Sequence, residues 1–229
     1  MTLTLYYHPL ASFCHKVLIA LYEAGTPFEA SLVDLADPDA SARFLDLWPV
    51  GKMPVLRDAG RDATVAETSI IIEYLDRHHP GPAPMLPADP DAALEARLWD
   101  RFYDLHVQEP MQKVVTDRIR PDGARDPFGV AEAGRRLATA YGMVERRMAE
   151  RTWAAGDAFT MADCAAAPAL FYAGIVQPFP QDHRHLRAYF ERLLERPSFR
   201  RVLDEARPYL DMFPFREKVP ERFLAPAGA

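Results

Sequence analysis

Two short stretches between Val50 and Tyr74 carry residue types suited to gripping a small peptide by its backbone and its amino-terminal end. The first reads Gly51-Lys52-Met53-Pro54-Val55-Leu56. A proline within a strand loses a ladder hydrogen bond, so one at the mouth of an apolar strand marks a turn, and a cis Met53-Pro54 bond is one way to build it. The residue before a proline is held extended. Met53 would then turn its N–H and C=O outward, where an extended peptide can pair with them as an added strand does. The second stretch reads Val65-Ala66-Glu67-Thr68-Ser69, followed by the apolar Ile70, Ile71, Ile72, Tyr74 and Leu75 that begin a helix. The first N–H groups of a helix lack partners and its dipole draws a carboxylate, while the Glu67 side chain suits an ammonium. Carboxylate and ammonium on one carbon are the α-end of an amino acid.

The elements that position these stretches follow from period and punctuation. Thr2, Thr4 and Tyr6 alternate with Leu3, Leu5 and Tyr7, which predicts a strand over residues 2–7, closed by His8-Pro9. Phe13, Val17 and Leu21, with Cys14 and Leu18, recur at helical spacing up to Gly25, a suitable residue to end a helix. A strand over 28–35, a helix over 40–47, a hairpin of 55–57 with 63–65 and a helix over 67–79 complete the order βαβαββα. Residues 80–90 read Pro-Gly-Pro-Ala-Pro-Met-Leu-Pro-Ala-Asp-Pro, which supports neither helix nor regular strand and marks a domain boundary. Everything beyond reads helical: residues 92–115, 130–151 and three shorter helices, with a polar break from Pro121 to Phe128. The expected fold class is α+β, with a first domain over 1–79, a linker over 80–90 and an all-helical domain over 91–229.

Composition narrows the functional classes. The chain has 229 residues, 49% of them hydrophobic, enough for a substantial core. A net charge of -6 and a pI near 5.7 argue against nucleic acid or an anionic membrane as the main partner. The two cysteines, Cys14 and Cys164, form no C-x-x-C pair, no apolar run has membrane-spanning length, and the first residues read as a strand rather than a signal peptide. A cytoplasmic protein with free thiols is expected. His183, His185 and the His78-His79 pair lack companion ligand spacing and read as solvated, so no metal is expected. Arg187, Arg192, Arg196, Arg200 and Arg201, mixed with Glu191 and Glu195, read as a solvated, ion-paired face.

The sequence Pro54-Val55-Leu56, a short hairpin, then Glu67-Thr68-Ser69-Ile70-Ile71-Ile72-Glu73-Tyr74-Leu75 resembles the glutathione transferase superfamily. The resemblance covers nearly the whole chain and implies a thioredoxin-like first domain, glutathione as co-substrate, no metal, a homodimer and a detoxifying role. It implies that Met53 and Pro54 pair with the cysteine of glutathione, that Glu67 and Thr68 hold its γ-glutamyl end, and that Lys52 reaches its glycine carboxylate. Thr68 stands where the family usually has serine and keeps the hydroxyl.

Thiol activation falls in Tyr7-His8-Pro9-Leu10-Ala11-Ser12-Phe13-Cys14. A thiol held here would face a helix start, whose free N–H groups favour thiolate, and a neighbouring hydroxyl would lower its pKa further. Ala11 stands where several classes of the superfamily carry the activating serine or cysteine. Ser12 matches a second serine of the zeta-like class, Tyr7 matches the tyrosine of the alpha, mu and pi classes, and Cys14 would be the second cysteine of a C-x-x-C frame. The catalytic candidates are therefore Ser12, Tyr7 and Cys14. Each also has a structural reading: Ser12 as a helix N-cap, Tyr7 as a packed ring, and Cys14 on the apolar stripe with Leu18 and Leu21.

The leading expectation is a glutathione S-transferase that directs the thiolate at an electrophilic, mostly apolar second substrate. Conjugation, isomerisation, ether or halide cleavage and peroxide reduction share this half-site. A glutathione-dependent thiol-disulfide enzyme using Cys14 and a non-catalytic transferase-like binding module are the alternatives. Phe102, Tyr103, His106, Phe171 and Tyr172 are candidates for the second-substrate pocket. Thr160 and Asp163 predict a capping box at a later helix, with a loss of roughly 1 to 2 kcal/mol for Asp163→Ala. The tail after Phe215 either wraps over the domain or is disordered.

Overall fold

The computed structural model describes residues Leu3–Leu224. Strand β1 (Leu3–Tyr7) buries Leu3 and Leu5, and it is followed by α1 (Ser12–Ala24), which ends at Gly25 with φ 63. Next come β2 (Glu29–Leu32), α2 (Pro38–Leu47), β3 (Val55–Asp58), β4 (Ala63–Ala66) and α3 (Thr68–His78). The sheet order is β2-β1-β3-β4, with β1 parallel to β2, antiparallel to β3, and β3 antiparallel to β4. This is the expected thioredoxin-like βαβαββα unit. The expected first strand also included Thr2, which lies outside the described residues.

No helix or strand lies between His78 and Pro90. Beyond it are α4 (Pro90–Phe102), a six-residue π-helical stretch (Tyr103–Gln108), α5 (Glu109–Arg118), α6 (Pro127–Met148), α7 (Met161–Val176), α8 (Arg184–Glu195) and α9 (Pro197–Ala206). The single helix expected over 92–115 is thus two α-helices joined by a wider turn. Helix α7 is the centre of this half: fifteen of its sixteen residues are buried, many of them alanines, and it packs on α1, α4 and the π-helical stretch.

One continuous core joins both halves, from Leu5, Val17 and Ile71 through Tyr103 and Leu137 to Phe199. A smaller cluster of Val33, Phe44 and Val55 sits under α2. The chain from Arg216 to Leu224 wraps over the helices, with Val219 buried and the Phe223 ring packed edge-on 5.0 Å from Phe171; the last five residues of the tail lie outside the described residues. Two expected solvated features turn inward. His79 Nε2 lies 2.8 Å from the buried Asp58 carboxylate, which also accepts from the Tyr74 hydroxyl at 2.9 Å. Arg196 pairs with Glu23 on α1 and stacks over Phe159 at 4.5 Å, so part of the arginine-rich face ties the two halves together.

Candidate functional site

The groove begins with backbone geometry. Met53-Pro54 is cis, Pro54 is buried at the mouth of β3, and Gly51 has φ 69 with the Leu45 side chain 3.1 Å from where a Cβ would sit. A side chain at 51 would meet both strain and contact. Met53 takes part in neither the sheet ladder nor any other described hydrogen bond, so its N–H and C=O remain open. Across from it, Glu67 precedes α3 with φ 67, a conformation that non-glycine residues hold only at a cost. Such outliers cluster where function holds the backbone.

Helix starts are closed in different ways, and α5, α8 and α9 lack a side-chain cap as α1 and α3 do. Asp37, Asp89 and Asp126 cap α2, α4 and α6 with their own carboxylates, and Thr160 with Asp163 forms a capping box on α7. At α1 and α3 the preceding residues, Ala11 and Glu67, supply no side-chain cap. No described hydrogen bond engages the N–H of Ser12 or Phe13, or of Thr68, Ser69 or Ile70. The two open ends face one cavity of about 260 Å³, lined by Phe13, Lys52, Met53, Pro54, Glu67 and Thr68. All five residues expected to bind the peptide therefore share one groove.

The second wall comes from the helical half: Arg101, Asp104, Leu105, Glu109 and Gln112. Beneath it lies a buried ionic cluster. Lys16 Nζ, almost fully enclosed, sits 2.6 Å from Asp100 and 2.7 Å from Asp104, and donates to Ser69 Oγ at 3.0 Å. The Ser69 hydroxyl donates to Asp100 at 2.6 Å, and Arg101 donates to Ser69 and Asp104. Burial pushes the Asp104 carboxyl up, against the pull of Lys16. Removing one charge from such a set strands the others, so the cluster fixes α1, α3 and α4 beneath the groove.

The three catalytic candidates are placed apart. Ser12 is the first residue of α1, one position inside the expected N-cap, and is 5% exposed. Its Oγ accepts from Gln108 Nε2 at the end of the π-helical stretch rather than capping its own helix. Tyr7 lines a different depression with Tyr22, Arg201 and Glu205, and burial raises its phenol. Cys14 is wholly buried, and its thiol is pushed up to about 12 by loss of solvent. A thiol at that value carries almost no thiolate at neutral pH.

The aromatic pocket expected from the helical half is not assembled. Tyr103, Phe171 and Tyr172 are core residues, while Phe102 and His106 border a separate cleft of about 620 Å³ between α4 and α6, with Leu98 and Met143. Aromatics at helical spacing packed inward, as they usually do. Sequence reasoning missed Lys16, Arg101, Asp104 and Gln108. The signal was present in Asp100 and Asp104, two acids on the helix face that carries the buried Ala93 and Ala96.

Residues 11–78 match the glutathione S-transferase N-terminal domain, and residues 102–197 match the glutathione S-transferase C-terminal domain. This chain belongs to the glutathione S-transferase family. It is 30% identical over 207 residues to a stringent starvation protein A homolog of Coxiella burnetii, covering 89% of this chain and 92% of that one. It is 31% identical over 213 residues to glutathione S-transferase 3 of Zea mays, covering 88% and 93%. A glutathione S-transferase of Methylobacterium radiotolerans, solved in complex with glutathione sulfonate, superposes with a TM-score of 0.75 at 30% identity, covering 88% and 94%.

Proposed function

We propose that this chain is a glutathione transferase that ionises the glutathione thiol at the start of α1 and directs it at a small electrophile. Glutathione lies extended along Met53-Pro54, its γ-glutamyl carboxylate at the open end of α3, its ammonium at Glu67 and its glycine carboxylate toward Lys52. The thiol proton passes to solvent, and the sulfur forms a bond to the electrophilic carbon as a leaving group departs or a proton adds to the adjacent carbon. Ser12 is the hydroxyl of choice for the thiolate, because it directly precedes Phe13 in the groove lining, whereas Tyr7 lines a different depression and Cys14 is wholly buried. The observation that carries the reading is the convergence of two uncapped helix starts and an unpaired Met53 backbone on one cavity. Arg101, Asp104, Glu109 and Gln112 make the second wall polar, which favours an electrophile with polar substituents over a purely apolar one.

The division at residues 80–90, a cytoplasmic location and a homodimer belong to the same reading. Leu94, Leu98, Leu105 and Met143, all exposed on neighbouring helices, support a second copy as the cover for that face. Titrating reduced glutathione into the protein at neutral pH, with Ser12→Ala alongside, tests the chemistry. Thiolate absorbance in the ultraviolet that the variant loses is the expected result; its absence from the wild type overturns the transferase reading. A non-catalytic binding module then takes its place, a reading favoured by Ala11 at the usual activating position and by the Coxiella relative's name.

A further inference from the structure

Gln108 crosses the junction between the halves to reach Ser12, 96 residues away in sequence. Both side chains are more than nine-tenths buried, at 2% and 5% exposed. A serine hydroxyl offers one proton and two lone pairs. The bond from Gln108 Nε2 uses a lone pair, and Ser12 Oγ takes part in no other described hydrogen bond, so the hydroxyl proton is unspent. Gln108 Oε1 likewise has no partner. Buried polar groups are seldom left this way unless a ligand or water completes them.

The placement of Gln108 adds a second, independent argument. It closes the π-helical stretch, and Arg101, Asp104, Leu105, Glu109 and Gln112 around it form the groove wall. Isolated π turns inside helices recur at functional sites, where the extra residue re-aims a side chain. Here the segment keeps Asp104 on Lys16 and, in the same turn, Gln108 on Ser12.

We infer that Gln108 is a positioning residue for thiol activation: its amide N–H holds the Ser12 hydroxyl so that the free proton is offered to a sulfur anion at the start of α1. The Ser12 proton stays on its oxygen as a hydrogen-bond donor, and the thiol proton leaves to solvent. The inference rests on Ser12 being the activating hydroxyl. A neutral amide is what the role requires. A carboxylate at 108 would take the serine proton for itself and stand as a like charge near the thiolate.

The test is the pH midpoint of thiolate absorbance for bound glutathione in wild type, Gln108→Glu, Gln108→Met, Ser12→Ala and the Ser12→Ala/Gln108→Glu double variant. Affinity for S-methylglutathione, which has no thiol to ionise, is measured on each as a check that the groove is intact. Gln108→Glu is expected to raise the midpoint by about one unit or more, and Gln108→Met by less, with S-methylglutathione affinity changed under roughly threefold. Adding Gln108→Glu to Ser12→Ala should shift the midpoint by less than it does alone. A wild-type thiolate that both Gln108 variants leave unmoved overturns the positioning role and spares the transferase reading. A wild type with no thiolate overturns both. Loss of S-methylglutathione binding in both Gln108 variants also overturns it, since that result makes Gln108 a structural support of the groove.

Discussion

The starts of α1 and α7 solve the same physical problem in opposite ways. Each helix begins with N–H groups that have no partner within the helix. At α7 a buried carboxylate closes the start: Asp163 accepts from the N–H of Thr160 and Ala154, both at 2.9 Å, from the Tyr189 hydroxyl at 2.6 Å and from the Thr160 hydroxyl at 3.3 Å. At α1 the capping position is an alanine, the Ser12 hydroxyl oxygen accepts from Gln108 rather than capping the helix, and the N–H groups face a groove. Stability is concentrated at the closed end. Ligand-binding capacity is concentrated at the open one.

Breaking the closed end gives the largest expected effect. Asp163→Ala removes the acceptor of four buried donors, not of the cap alone, so the cost should be about 3 to 5 kcal/mol rather than the smaller figure expected from the capping box. Chemical denaturation measures it. Glutathione affinity of the protein that remains folded should be unchanged, and a large fall in affinity would mean that the two helix starts are coupled.

The next effect sharpens the comparison through pH. Burial lowers His15, on α1, to about 4, while Nε2 donates to the Pro9 carbonyl. The unfolded chain takes up this proton near pH 6.5, so stability is lost as pH falls from about 6.5 to 4, by roughly 3 kcal/mol over the full window. Asp163 carries the opposite sign. Burial raises it to about 6 from 3.8, so its contribution is fullest below 3.8 and is lost as pH rises through 6. Between pH 4 and 6 the two nearly cancel. His15→Gln should therefore turn the wild-type plateau into a stability that falls with rising pH, and Asp163→Asn into one that rises. Urea midpoints across pH 4 to 7 decide it, and parallel curves for all three proteins would refute the assignment.

Local signals were legible in the sequence and distant ones were not. Alternation around Leu3 and Leu5, the proline before Val55 and the Thr160-Asp163 spacing each depend on a few neighbouring residues, and β1, the groove loop and the α7 cap stand where those signals put them. Ser12 read as an N-cap by residue type, yet it stands inside the first turn because Gln108 competes for its hydroxyl. Lys16 with Asp104 and Ser12 with Gln108 are joined across 88 and 96 residues, and no local period encodes such a pairing. The aromatic pocket failed for the same reason: whether Phe171 and Tyr172 face a ligand or the core is set by what packs against α7.

The smallest effect concerns the second open end. Glu67 holds φ 67 at the start of α3 without capping it, which places a carboxylate in the groove at the expense of backbone ease. Glycine adopts that conformation without the steric penalty, so Glu67→Gly should relieve roughly 1 kcal/mol of strain, offset in part by the greater entropy of the unfolded chain. The same change removes the charge proposed to meet the glutathione ammonium, which should weaken binding by about tenfold. A protein that becomes no less stable while losing affinity would mark Glu67 as held for the ligand rather than for the fold. Calorimetric titration of glutathione beside thermal unfolding of the free protein separates the two terms. If Glu67→Gly destabilises by several kcal/mol and leaves affinity intact, then α3 starts where it does for structural reasons, and the contrast between open and closed helix ends holds for α1 alone.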